Sequence, residues 1–265
     1  MRKRGYVCLN PADWANMDRL ISSFQGFSLF TTTPIPSYAV RRIKSDLGAK
    51  LLFYNDAYHP PYPGGSATVG VWKRLADALP ARGWLKNGTT GEYLSRWDPR
   101  TGIYSHDEET VYIYANWLKE IIAGMLVDGG FQDNMEPVMP DWLMRYYAFR
   151  TPIVNGNGSF MTSLQIKVRF DRSNPKLTAA IRKAVGPDAI IVANTGVRRD
   201  DPAINGICLE RNFTPASWMG MNWHKPYYPL AMVYPNTESV VESMVLPANV
   251  YRMRDGTLGY PVPQE

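Results

Sequence analysis

Two short apolar runs in this chain end in an acid. One is Val127-Asp128-Gly129-Gly130-Phe131-Gln132-Asp133-Asn134, and the other is Gly206-Ile207-Cys208-Leu209-Glu210-Arg211-Asn212. An interior strand that leaves the core on a carboxylate delivers that acid to the edge of the fold, and two such strands can bring Asp133 and Glu210 to one cleft. Breaking a glycosidic bond needs such a pair, one carboxyl to protonate the leaving oxygen and one to stabilise or attack the anomeric carbon. Asp128 stands five positions before Asp133, so in an unbroken strand the two face opposite sides. Asp128 therefore reads as structural, while Gly129-Gly130 leaves open a turn or bulge that resets the phase.

Other polar residues fall at the ends of apolar runs. Tyr54-Asn55-Asp56, Asn134 and Asn194 do so, and hydroxyl-, amide- and carboxylate-rich strand ends suit a polyhydroxylated ligand, whose groups both donate and accept. His59, Trp97-Asp98 and Trp223 follow in loops, where rings can stack on sugars. These residues form the expected carbohydrate-contacting set. Against them stands ordinary use: strand-end Asn and Asp cap helices, and loop histidines are solvated. His59, His106 and His224 are the only histidines and show no metal-ligand spacing, so no metal or organic cofactor is expected. No Gly-x-Ser-x-Gly elbow supports a serine hydrolase.

The elements that would carry these residues alternate. Helical periodicity marks the stretch after Asp13 (Trp14, Met17, Leu20, Ile21), then Ser37 to Leu47 closed by Gly48, Ala67 to Leu79, Glu108 to Ala123, and 141–149. Apolar runs predict strands at Phe24–Thr31, Ala49–Asn55, somewhere within 83–107, Met125–Asp133, Ala189–Asn194, Ile204–Glu210, Tyr228–Tyr234 and Asn249–Met253, with a further helix near 240–245. Leu164, Ile166, Val168 and Phe170 alternate with polar residues, predicting a half-solvated strand from an inserted hairpin near 155–170, with Ser173 capping the next helix. Strands and helices alternating about eight times argue for a parallel α/β protein. The absence of Gly-x-Gly-x-x-Gly and of a phosphate-binding loop favours a (β/α)8 TIM barrel over an open nucleotide-binding sheet. The expectation is one barrel domain over 1–265 with a small β-hairpin insertion.

Composition excludes little else. The chain has 265 residues, a net charge of +5, and 8 Trp, 16 Tyr and 9 Phe. No basic face interleaved with aromatics points to nucleic acid. No apolar run of about 18 residues points to a membrane span. Arg2-Lys3-Arg4 begins like a signal peptide, but the following residues lack its apolar core. Cys8 and Cys208 imply no disulfide framework. A carbohydrate is the expected partner. Compartment and oligomeric state are not encoded legibly.

Gly129-Gly130-Phe131-Gln132-Asp133-Asn134, Ile191-Val192-Ala193-Asn194-Thr195-Gly196 and Asn205-Gly206-Ile207-Cys208-Leu209-Glu210 together resemble strands of the TIM-barrel glycosyl hydrolases similar to endo-α-1,4-polygalactosaminidases. Asp128 and Asp133-Asn134 match the pattern. Gln132, Gly130 and Asn205 depart from it, the last where Asp is usual. The resemblance implies a glycosidase with Asp133 as nucleophile or base and Glu210 as general acid. A non-catalytic carbohydrate-binding protein on the same fold is the alternative, and an assembly protein without a concave aromatic cleft is the third.

Overall fold

The computed structural model describes residues 6–9, 14–25, 29–95, 98–133, 152–194, 201, 203–208, 230–233, 251–252 and 258–261; at 6–8, 194, 206–208 and from 230 onward it describes backbone alone. In chain order the strands are β1 (Tyr6–Leu9), β2 (Leu29–Thr32), β3 (Lys50–Asp56), β4 (Leu85–Asn87), β5 (Gly129–Asp133), β6 (Ile153–Asn155), β7 (Ile190–Asn194), β8 (Gly206–Cys208), β9 (Leu230–Val233), β10 (Tyr251–Arg252) and β11 (Leu258–Pro261). The helices are α1 (Met17–Ser23), α2 (Ser37–Leu47), α3 (Gly70–Ala78), α4 (Thr110–Met125) and α5 (Ser163–Val185). The chain packs as two compact units: Met1–Asn55, Ile122–Asp133 and Asp188–Glu265 form the first, and Asp56–Ile121 and Asn134–Pro187 the second.

The first unit holds a six-stranded sheet in the order β1-β2-β3-β5-β7-β8. The β1/β2, β2/β3, β5/β7 and β7/β8 pairs are parallel. Leu51, Leu52 and Phe53 are successive and fully buried, so β3 is covered on both faces, as a parallel strand with helical crossovers requires. Leu29, Leu52, Phe131, Ile190 and Val192 pack into one core cluster, with Tyr54 against its margin. The sheet grows in one direction, each strand laid beside the one before it. No closure into a barrel is seen among the described residues.

Helix α2 forms over the expected residues, but Ser37, expected as its cap, is its first residue, and Pro36 holds the N-cap position without a side-chain bond. Ala39, Val40 and Ile43 are buried, and Gly48 ends it in the left-handed region at φ 63°, where an L side chain is strained. Helix α1 is capped by Asn16, whose Oδ1 accepts from the Arg19 N–H; Asp13, the cap expected from the sequence, lies outside the described residues. Phe24 closes that helix, so the strand expected from Phe24 begins only at Leu29. Strand β1 lies outside the strands expected from the sequence.

Three expectations are corrected. The strand expected within 83–107 exists as β4, but it pairs antiparallel with β6 in the second unit and lies outside the parallel sheet. The last strands also depart from a parallel barrel, because β9, β10 and β11 form a separate antiparallel sheet. The hairpin insertion is short: β6 turns at 156–158 and returns through a bridge between Val154 and Phe160. Residues 164–170 are helical, inside α5, and Ser173 is interior to that helix rather than its cap. Thr162 and Gln165 form a reciprocal capping box that starts the helix. Ile166, Phe170, Ser173, Leu177 and Ile181 then form one continuous buried stripe at helical spacing. Four alternating apolar residues fit a strand and a helix alike, and the longer stripe decides. The helices expected near 141–149 and 240–245 lie outside the described residues. Among those residues no helix is long and apolar enough to cross a membrane.

Candidate functional site

The neighbouring strands β3 and β5 end side by side, and their last residues are tied together. Tyr54 donates its phenolic hydrogen to Oδ2 of Asp133. The Tyr54 ring stacks on Phe131 with centroids 5.7 Å apart and planes 17° off parallel, which fixes the direction of its hydroxyl. Asp133 is half-buried at the carboxyl end of the sheet, the end at which parallel α/β folds carry their chemistry. A hydrogen bond to a carboxylate orients it.

Asn55 lies between these residues but is fully buried, and its Nδ2 donates to the carbonyls of Phe53 (3.0 Å) and Phe131 (3.1 Å). The structure thus gives it a fastening role between strand ends. The opposite end of the same strand pair is fastened by Asp128. Its Oδ2 accepts from the Leu51 N–H at 3.0 Å, and Lys44 and Lys50 approach its two oxygens at 3.1 and 3.2 Å. Gly129 follows because a Cβ there would meet the Ile190 carbonyl oxygen at 1.8 Å. The glycine answers a close strand approach, with no turn or bulge.

In the second unit, Asp56 organises the loop that follows β3. Its Oδ1 accepts from the N–H groups of Tyr58 and His59, each at 3.0 Å, and its Oδ2 meets His59 Nδ1 at 2.9 Å. His59 is 4% exposed, contrary to a solvated loop histidine. The Asp-x-x-His spacing is the sequence signal for this turn, since an aspartate side chain caps the N–H groups two and three residues on. Asp98 closes a turn and is held by Arg100 through its carboxylate; the guanidinium keeps that carboxyl below its ordinary range.

His106 belongs to the core. Its Nε2 donates to the Ala57 carbonyl (2.9 Å), Nδ1 faces Thr110 Oγ1 (3.3 Å), and the rings of Tyr58, Tyr104 and Tyr114 surround it. Burial pushes its pKa down to about 4. Next to it, Asp107 caps α4 through the N–H groups of Glu109 and Thr110. Burial opposes the Asp107 charge, but its bonds to Arg82 and to the helix start outweigh that and hold its pKa down at about 2.

Glu210, Trp97, Asn134 and Trp223 lie outside the described residues. Asn194 ends β7, as expected, with backbone alone described.

No known family profile matches the chain, and no curated protein does. Solved structures that resemble it include a GH31 dextranase from Flavobacterium johnsoniae, at 12% identity and a TM-score of 0.45 over 72% of this chain and 25% of that one. The cycloalternan-degrading enzyme of Trueperella pyogenes aligns at 10% identity and a TM-score of 0.45, over 72% of this chain and 32% of that one. A cycloisomaltooligosaccharide glucanotransferase of a Paenibacillus species aligns at 8% and 0.44, over 78% and 33%. The chain therefore spans a quarter to a third of these proteins' lengths. Likeness at this level is loose and says nothing of what this chain acts on.

Proposed function

We propose that this chain is a carbohydrate-active protein of β/α-barrel type that hydrolyses a glycosidic bond, with Asp133 as nucleophile or base and Glu210 as general acid. The observation that carries the reading is the Asp133 carboxylate, fixed by the Tyr54 hydroxyl at the carboxyl end of a parallel sheet. A carboxylate aimed by a donor is suited to attack an anomeric carbon or to take a proton from water. The one-way strand order supports the barrel, since a doubly wound open sheet reverses direction at its ligand-binding crevice.

Glu210 follows the last residue of β8 by two positions, and one strand, β7, separates β8 from β5. Neighbouring strands lie about 4.8 Å apart, so β5 and β8 are separated by roughly 10 Å of backbone. Two side chains that lean together would close this to the ~5–9.5 Å that glycoside cleavage requires.

The test is reducing-sugar release over a polysaccharide panel, run beside a glycan array. Asp133→Asn and Glu210→Gln are expected to keep the wild-type circular dichroism and melting temperature while losing turnover by several orders of magnitude. Wild-type-like turnover in either variant refutes the assignment. Array binding by a wild type that releases no sugar would leave a carbohydrate-binding protein on this fold.

A further inference from the structure

Asn55 follows Tyr54 in β3 and is fully buried. Successive strand residues point to opposite faces, so the Asn55 carboxamide does not share the face of the Tyr54 ring. What it holds is main chain. Its Nδ2 donates to the Phe53 carbonyl at 3.0 Å and to the Phe131 carbonyl at 3.1 Å. Strands β3 and β5 are hydrogen-bonded neighbours in the six-stranded sheet. The Phe53 carbonyl belongs to the peptide that leads into Tyr54. The Phe131 carbonyl belongs to the peptide that leads into Gln132, with Asp133 next. One amide group therefore pins the two strands together just before the residues that make the Tyr54–Asp133 bond.

We propose that Asn55 is a positioning residue, whose clamp on β3 and β5 sets the register at which the Tyr54 hydroxyl meets the Asp133 carboxylate. The Tyr54 ring stacks on Phe131, and the Phe131 carbonyl is the one clamped, so ring and peptide plane are fixed at the same residue. A carboxamide suits the task because one nitrogen carries two hydrogens for two carbonyls. A serine offers one, and an ionised aspartate offers none. Phe53 and Phe131 are themselves buried, so carbonyls that lose this donor lose it away from water, where the loss is costly. The same strand pair has a second fastening at its other end, where Asp128 accepts from the Leu51 N–H. That bond stabilises the same two strands at the end far from Tyr54. The inference rests on the reading of Asp133 as a reacting carboxylate and adds the buried residue that holds it in place.

The experiment uses the full chain with tyrosine labelled by 13C at Cζ, a carbon whose resonance responds to the hydrogen bond of the phenol. The Tyr54 signal is identified by its loss in Tyr54→Phe, and Asp133→Ala gives its position without the bond. Asn55→Ala is expected to move the signal most of the way to the Asp133→Ala position. Asp128→Ala is expected to lower the melting temperature and to leave the signal at its wild-type position. Asn55→Ser, which keeps one donor for one carbonyl, is expected to fall between, and it carries the comparison if Asn55→Ala does not fold. A Tyr54 signal unmoved in both Asn55 variants makes Asn55 purely structural and overturns the proposal. Movement in Asp128→Ala as large as in Asn55→Ala overturns it too, as does a signal that Asp133→Ala leaves in place. Where the wild type releases reducing sugar, Asn55→Ala should lower kcat roughly 10- to 100-fold at unchanged KM, the scale of loss for a misplaced reacting group; an unchanged kcat overturns the proposal. Failure of the hydrolase reading is separable. A Tyr54 signal that depends on Asn55 in a chain without turnover leaves the clamp standing without catalysis. Asp133-dependent turnover with a Tyr54 signal indifferent to Asn55 removes the clamp alone.

Discussion

Asp128 and Asn205 make the same reciprocal pair of bonds, each with the second residue of a neighbouring strand. The Asp128 N–H donates to the Leu51 carbonyl at 2.8 Å while the Leu51 N–H donates to Asp128 Oδ2 at 3.0 Å. The Asn205 N–H donates to the Ile191 carbonyl at 2.6 Å while the Ile191 N–H donates to Asn205 Oδ1 at 2.8 Å. A carboxylate and a carboxamide offer the same acceptor oxygen here. The asparagine at 205 thus does what an aspartate can do at a strand start, at the opposite end of the sheet from Asp133.

Asp128 is expected to separate these functions by mutation. Asp128→Asn keeps an acceptor for the Leu51 N–H and loses only the attraction of Lys44 and Lys50, which are a third to a half exposed; it should cost about 1 kcal/mol or less. Asp128→Ala leaves the Leu51 N–H without its acceptor and should cost roughly 1–3 kcal/mol. Urea denaturation midpoints at an unchanged slope would measure both.

Tyr54→Phe removes one hydroxyl and keeps the stack on Phe131. A hydrogen bond to a charged group contributes about 1.5–3 kcal/mol, so kcat/KM on any substrate found should fall roughly 10- to 100-fold. The melting temperature should change by a few degrees at most. An unchanged kcat/KM would separate Asp133 from the proposed chemistry.

Leu126 joins α4 to β5 with φ at 59° and is 48% exposed. A leucine in the left-handed region is strained by about 1–2 kcal/mol, and its exposed side chain recovers little by burial. Leu126→Gly relieves the strain at some entropic cost in the unfolded chain and is expected to raise the melting temperature. The Lys44 bond to the Leu126 carbonyl, 2.6 Å, needs no side chain at 126 and should persist.

His106 should make stability depend on pH. Its folded pKa of about 4 lies below the unfolded value of about 6.5. The unfolded chain therefore binds the proton more readily between these values. The contribution of the neutral ring is complete above pH 6.5 and is lost as the pH falls toward 4, by about 3 kcal/mol at most. His106→Gln, which retains a donor for the Ala57 carbonyl, should flatten the stability curve over that window. Denaturation at a series of pH values reads the slope directly. Asp107 contributes below that window, between about pH 4 and 2, where protonation releases its hold on Arg82 and the start of α4.

The sequence by itself determined the local pieces whose causes are local. The Gly48 stop after α2, the apolar runs of β3, β5 and β7, and the placement of Asp133 at a strand end follow from period, turn chemistry and chain order, and they appear as expected. Asp128 also reads as structural from its phase alone. What neighbours decide could not be read there. The four alternating residues Leu164 to Phe170 became helix because the helical stripe continued to Ile181. β4 left the parallel sheet because its partner is β6, a pairing made across distant sequence. Asn55 and His59 look alike as polar residues after an apolar strand, yet one donates to backbone carbonyls and the other is oriented by Asp56. Hydrogen-bond partners are chosen by distances of about 3 Å between residues far apart in the chain, and only tertiary packing sets those distances.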